Sequence, residues 1–313
     1  MMSFAFIFPG QGSQSVGMLS TLSEKFPIVT DTFAEASQAL GYDLWTLTQE
    51  GPAESLGKTE QTQPALLTAG VAVWRAWLEQ GGLKPKAMAG HSLGEYTALT
   101  CAGAIDFADA VTLVRDRGSY MQSAVPEGEG GMAAVIGLTD QQVIDVCNTA
   151  NDEQNTVQAV NFNAPGQVVI AGSKGGIEKA IPLLKEAGAK RALPLPVSIP
   201  AHSALMTPAA QQLEQRIQAL DFKMPEIPVL HNCNVTFAAT VDELKSNLVT
   251  QLDSPVQWVK SIESIAADAD IQYMIESGPG KVLSGMVKRI AKGVNITAID
   301  QPEALLTAID EQK

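Results

Sequence analysis

The stretch Lys86-Ala87-Met88-Ala89-Gly90-His91-Ser92-Leu93-Gly94-Glu95-Tyr96 decides the fold. A short apolar run, readable as a buried strand, leads through Gly-x-Ser-x-Gly into a segment of helix formers that continues to Cys101. A serine on so sharp a strand-to-helix turn is strained, and the residues two before and two after it must be small for the backbones to pass. The context therefore fits a nucleophile elbow; a glycine-flanked loop serine is the plain alternative. In an elbow the hydroxyl stands at a helix N-terminus, where the dipole and the free N–H of Leu93 favour a developing oxyanion.

Working outward, residues 3–8 read as a buried first strand ending in the tight loop Pro9-Gly10-Gln11-Gly12, which presents backbone N–H groups. A helix is predicted after Gln63-Pro64, with the proline near its first turn, ending at Gly81-Gly82. Buried strands alternating with helices imply a parallel, helix-covered sheet. The texture changes between Gly131 and Val197. Residues 132–138 are strand-like, Thr139-Asp140 caps a helix to about Asn148, and strands at 157–162 and 167–171 flank the turn Asn163-Ala164-Pro165-Gly166. A helix over 175–186 stops at Gly188, and 191–197 closes a β-α-β-β-α-β series, the ferredoxin-like split unit. After it, strands are predicted near Val229 and at 272–275, with a helix over 281–292. The chain is read as α/β: a parallel-sheet, α/β-hydrolase-like large domain (1–128 and 198–313) with an inserted ferredoxin-like small domain (129–197).

Composition narrows the function. A chain of 313 residues can bury a full core. Its net charge of −13 argues against nucleic acid, whose phosphates need a basic surface. Met1-Met2-Ser3 runs straight into a strand-like segment, so no signal peptide is expected, and no apolar stretch is long enough to span a membrane. Three scattered cysteines, Cys101, Cys147 and Cys233, suit neither a disulfide framework nor a metal site. A cytoplasmic protein without metal or cofactor is expected, and a monomer is the default. The sequons at Asn234 and Asn295 then have no secretory route to use them.

Ser92 needs a base, and the chain has three histidines. His91 adjoins the serine too closely to double back and reads as a packing residue. His231, at the apolar strand end Val229-Leu230-His231, reads as buried and structural. His202 follows the proline-rich exit from the inserted unit, at a strand end returning from it, where sheet-top loops carry catalytic groups, and is the candidate base. Any carbonyl oxygen could hold its far ring nitrogen. On the predicted helix over 106–125, Phe107, Ala110, Val111, Val114, Gly118 and Met121 form an apolar stripe with Arg117 at its edge. Arg117 either clamps a substrate carboxylate with its planar fork or packs its stem and sends its head to solvent. Two other matches are set aside. Ser277-Gly278-Pro279-Gly280-Lys281 lacks phosphate-loop spacing and reads as a strand-to-helix turn, and the glycines at 128–131 follow no strand.

Taken together, Phe8-Pro9-Gly10-Gln11-Gly12-Ser13-Gln14, Thr62-Gln63-Pro64-Ala65, the Ser92 elbow, Arg117-Gly118 with Met121, Asn163-Ala164-Pro165-Gly166-Gln167, Ala201-His202-Ser203 and Glu276-Ser277-Gly278-Pro279-Gly280 resemble the malonyl-CoA:acyl carrier protein transacylases of bacterial fatty acid synthesis. The resemblance spans nearly the whole chain in order. It implies ping-pong transfer of malonyl from coenzyme A, through an ester on Ser92, to the phosphopantetheine thiol of acyl carrier protein, with His202 as base. It further implies an oxyanion hole from the N–H groups of Gln11 and Leu93, Arg117 on the malonyl carboxylate, and the main-chain carbonyl of Gln251 holding the base. Met121, Met132 and Asn163 are expected to line the acyl pocket. Ala201 is a departure, since relatives commonly carry Ser before the histidine, and it bears on selectivity among acyl groups.

Other readings share parts of this pattern. An esterase-type hydrolase would use the same elbow and base but not Arg117, and a binding module of the same fold would tolerate loss of Ser92 or His202. A polyketide acyltransferase carries overlapping motifs. Acyl carrier proteins are acidic, and the basic run Lys288, Arg289 and Lys292 reads either as their docking side or as a solvated helix face.

Overall fold

The computed structural model describes residues 3–312, so the reading of Met1 and Met2 falls outside it. The described residues form nine strands: β1 (Ser3–Phe8), β2 (Ala87–Gly90), β3 (Gly130–Ile136), β4 (Val157–Ala164), β5 (Gln167–Ser173), β6 (Arg191–Pro194), β7 (Val229–Leu230), β8 (Ile271–Glu276) and β9 (Asn295–Ala298). One sheet has the order β7-β2-β1-β8-β9 with every pairing parallel. Strand β1 is central and buried on both faces. Phe4, Phe6 and Phe8 point into the larger core, packed by helices Thr59–Glu79 and Phe107–Ala124, while Ala5 and Ile7 face the core built on Trp258, Ile262 and Val287. Period-two alternation with both faces apolar is what a helix-covered parallel strand requires.

The second sheet has the order β4-β5-β3-β6 and is antiparallel throughout, which is the ferredoxin-like arrangement of β-α-β-β-α-β. Helices Asp140–Ala150 and Lys174–Glu186 cover one face. On the other, Met132, Val160, Val169 and Ala171 pack with Leu195 and Ala201, the latter adjoining His202. The segment around Val256 lies alongside β4, its N–H donating to Val160 and its carbonyl accepting from Phe162, while its side chain packs in the core beneath the parallel sheet.

Several boundaries differ from the sequence reading for physical reasons. The helix predicted to follow Gln63-Pro64 begins at Thr59, because Gln61 and Thr62 N–H groups already donate to Lys58 and the Thr62 hydroxyl donates to Leu56 O; Pro64 lies inside the helix. Strand β4 runs on to Ala164, leaving Pro165-Gly166 as a two-residue turn, so Asn163 is a strand residue. Strand β6 stops at Pro194, since a second proline at 196 removes another ladder donor. Gly118 carries no side chain because its helix crosses the start of Thr59–Glu79 closely; a Cβ there would sit 2.8 Å from the Glu60 backbone. That approach brings Arg117 to Gln63. No helix among the described residues is long and apolar enough to cross a membrane.

Candidate active site

Ser92 stands between β2 and helix Leu93–Cys101 with φ 51° and ψ −107°, a conformation that costs a non-glycine residue free energy of order 1–3 kcal/mol. The turn is made possible by its flanks. A Cβ on Gly90 would lie 1.9 Å from the Gly94 backbone, and one on Gly94 would lie 2.1 Å from Phe8 O. Asn232 pins the turn from behind: its Oδ1 accepts from Ser92 N–H at 2.7 Å, and its Nδ2 donates to Gly90 O at 2.7 Å. The strained serine is thus over-determined by neighbours.

His202 lies 2.7 Å from Ser92 Oγ through Nε2, with Nδ1 2.8 Å from the main-chain oxygen of Gln251. A carbonyl only accepts, so Nδ1 carries the proton and Nε2 presents a lone pair to the hydroxyl. The residue sits not at a strand end but in an irregular loop beyond β6, with φ 65°; the Ser203 hydroxyl donating to Pro200 O braces this turn. Burial first, then the Arg117 charge, push the His202 pKa from 6.5 down to about 3, with His91 adding to the lowering and the Gln251 carbonyl opposing it. The imidazole is therefore a neutral base over the whole physiological range.

Two pH effects follow. The folded state binds a proton at His202 less readily than the unfolded chain, so its contribution to stability is complete above about pH 6.5 and is lost as pH falls toward 3. The acid limb of kcat/KM for acylation, which reports the free protein, is expected well below 6.5. A limb at the ordinary histidine value, in stopped-flow acylation with buffer ionic strength held constant, would contradict the buried-base geometry.

Arg117 is 1% exposed and faces the elbow. Nη1 donates to Gln63 Oε1 at 2.9 Å, while Nη2 reaches Gln251 Oε1 at 3.0 Å and Ser92 Oγ at 3.3 Å. The guanidinium carbon lies 5.2 Å from the Tyr96 ring centroid, and Nε has no hydrogen-bond partner among the described residues. Its hydrogen-bond acceptors are all neutral oxygens, and burial lowers its pKa. The neighbouring Arg115 behaves differently, pairing with Asp116, which Arg216 also engages. A buried guanidinium held only by neutral acceptors has the charge and the free donor capacity to receive an anion.

The remaining predicted residues gather around this core to differing degrees. Leu93 opens the elbow helix, where an N–H has no intrahelical acceptor, and Gln11 follows the end of β1 that accepts from His91 N–H through Phe8 O at 3.0 Å. Met121 Sδ lies 3.4 Å from Gln63 Nε2, against the arginine's support. Met132 belongs to the small-sheet face that meets Ala201. Asn163 Oδ1 accepts from His91 Nε2 at 2.7 Å, so it reaches the site through that ring, which also packs edge-on against Trp258. His231 is buried against Glu95. In the basic run, Arg289 is not a free cation: it donates to Gln167 Oε1 at 2.5 Å and Pro165 O at 2.7 Å, tying its helix to the small-sheet turn. Charge is legible in sequence; the partner that consumes it is not.

Sequence reasoning missed four residues that build the site: Gln63, Glu95, Asn232 and, as a side chain, Gln251. Each is polar and nearly fully buried, and each bonds to elements more than fifty residues away. The available signal was Glu95 as the one charged residue of helix Leu93–Cys101.

Residues 5–299 match the acyl transferase domain family, and a malonyl CoA-acyl carrier protein transacylase of Salmonella typhimurium is 56% identical over 311 residues, covering 99% of this chain and 100% of the relative. The chain belongs to the malonyl-CoA:acyl carrier protein transacylase family. Solved structures of the family agree in fold. An acyl carrier protein S-malonyltransferase of Vibrio cholerae superposes with a TM-score of 0.95 at 51% identity, covering 99% of this chain and 100% of that one. A malonyl-transacylase in complex with a type II PKS acyl-carrier protein superposes with a TM-score of 0.97 at 50% identity, covering 99% of each chain.

Proposed function

We propose that this chain is an acyltransferase that moves malonyl from malonyl-CoA to the phosphopantetheine thiol of acyl carrier protein, supplying fatty acid chain elongation in the cytoplasm. The observation that carries the reading is the contact of Ser92 Oγ with both the His202 lone pair and the Arg117 guanidinium. Nucleophile, base and carboxylate receptor meet at one oxygen.

As Ser92 Oγ attacks the thioester carbon, its proton passes to His202 Nε2, and negative charge develops on the carbonyl oxygen. The N–H groups of Leu93 and Gln11 receive that charge. Collapse breaks the C–S bond, His202 returns the proton to the departing coenzyme A sulfur, and a malonyl ester remains on Ser92. The pantetheine thiol of the carrier protein then gives its proton to His202 and attacks the ester. Ser92 Oγ leaves with the proton. Arg117 holds the malonyl carboxylate through both half-reactions, with Met121, Met132 and Asn163 around the acyl group. An esterase would have no use for a buried guanidinium at the nucleophile.

The test is release of coenzyme A from malonyl, methylmalonyl and acetyl donors, with and without holo carrier protein. Malonyl release sustained only when carrier protein is present is the expected result. Equal turnover without it would make the chain a hydrolase.

A further inference from the structure

Glu95 is 0% exposed, lies three residues beyond Ser92, and touches no position where substrate is read. Its Oε1 is 2.7 Å from His231 Nδ1, and its Oε2 accepts from Asn232 N–H at 2.9 Å and from Gln251 Nε2 at 2.9 Å. A backbone N–H and a carboxamide N–H only donate, so Oε2 is committed as a double acceptor. Both partners are themselves site builders. Asn232 holds Ser92 N–H and Gly90 O, the two ends of the elbow. Gln251 is attached to everything else: Nε2 donates also to Ser92 O at 2.9 Å, Oε1 accepts from Arg117 Nη2, and its main-chain oxygen holds His202 Nδ1.

The carboxamide of Gln251 works in one sense only. Flipped, its oxygen would face the oxygens of Glu95 and Ser92, and its NH2 would face the guanidinium. Glu95 thus anchors the amide end that points away from Arg117, while His231 fixes the carboxylate from the opposite side. A chain of two hydrogen bonds runs from Glu95 through one amide to Arg117.

We propose that Glu95, clamped by His231, is a positioning residue for the transfer reaction: acting through Gln251 and Asn232, it sets where Ser92, His202 and Arg117 stand relative to one another. This rests on the function proposed above. Loss of the carboxylate leaves the nucleophile and base chemically intact but lets the amide that joins them to Arg117 drift, and misplacement on the ångström scale costs rate steeply.

The experiment is a double-mutant cycle on single-turnover malonyl-enzyme formation. Glu95→Gln keeps the shape, and its NH2 can face His231 in the other tautomer, so the thermal midpoint is expected to stay close to that of the unaltered protein. Acylation is expected to slow about tenfold or more, because one neutral oxygen then holds two donors. Combined with Gln251→Ala, which keeps the main-chain oxygen for His202, the double variant is expected to lose clearly less than the product of the two single losses, since part of the effect passes through that side chain and the rest through Asn232. Wild-type acylation in Glu95→Gln, or losses that multiply in the double variant, would overturn the proposal. Should Glu95→Gln not fold, the same cycle is run with Glu95→Asp, which keeps the charge but withdraws it from Gln251 by one methylene. Labelling of Ser92 by a fluorophosphonate, which needs only the serine and its base, is followed in the same variants. It reads the positioning even if malonyl-CoA proves not to be the donor.

Discussion

Replacing His202 by Ala is expected to slow acylation of Ser92 by roughly two to four orders of magnitude, the range general-base assistance supplies. The loss is large because, among the described residues, the hydroxyl contacts no other base. Ser92 Oγ is 2.7 Å from His202 Nε2, and its other neighbour, Arg117 Nη2 at 3.3 Å, is a donor. His91, adjacent in sequence, cannot substitute, since its Nε2 is engaged by Asn163 Oδ1 at 2.7 Å. His202→Gln would keep a polar side chain yet fail as a proton carrier, so it should be nearly as slow. Rapid-quench measurement of the acyl-enzyme decides this, with the thermal midpoint as control; a loss below tenfold would mean that His202 only supports the loop.

Arg117→Ala is expected to separate donors. In a buried cleft the malonyl carboxylate left without its partner costs about 3–5 kcal/mol, equivalent to roughly two to four orders of magnitude in kcat/KM. Acetyl-CoA brings no carboxylate and should lose little. Both donors are measured in the same assay, so the ratio of malonyl to acetyl transfer is the informative quantity. Arg117→Lys should recover only part of the malonyl rate, because an ammonium cannot span Gln63 Oε1, Gln251 Oε1 and a carboxylate with one planar fork. An equal fall for both donors would assign Arg117 to holding Gln63 and Gln251 in place rather than to reading the acyl group.

Local steric demands made the elbow legible. Gly90 has no room for a side chain against the Gly94 backbone, a requirement that acts within five residues and so shows in the sequence, and Gly94 completes the pattern by its close approach to Phe8 O on β1. The ferredoxin-like sheet was legible for a similar reason: its strands are short, its turns carry glycine and proline, and its helix at Asp140 opens with a capping box at Thr139. Less could be read where partners are distant. Strand β9 has one buried position in four and looks like any polar segment until β8 pairs with it. Glu95 resembles an acid placed at a helix start for the dipole, a common and local reason for that residue. Its actual partners come from Gln251 and from the loop at His231 and Asn232, over a hundred positions away. His202 was singled out as candidate base by its place after the inserted unit, but the loop that turns it at φ 65° follows from packing, not from residue type.

The central claim, that Ser92 carries the malonyl group between donor and carrier protein, is tested most directly by intact-protein mass spectrometry with peptide mapping. After mixing with malonyl-CoA alone, the protein should gain one malonyl group on the peptide that contains Ser92, and added holo acyl carrier protein should remove it and appear as malonyl carrier protein. Ser92→Ala should gain nothing. A malonyl adduct that persists in Ser92→Ala, or that maps to a peptide without this residue, would contradict the account.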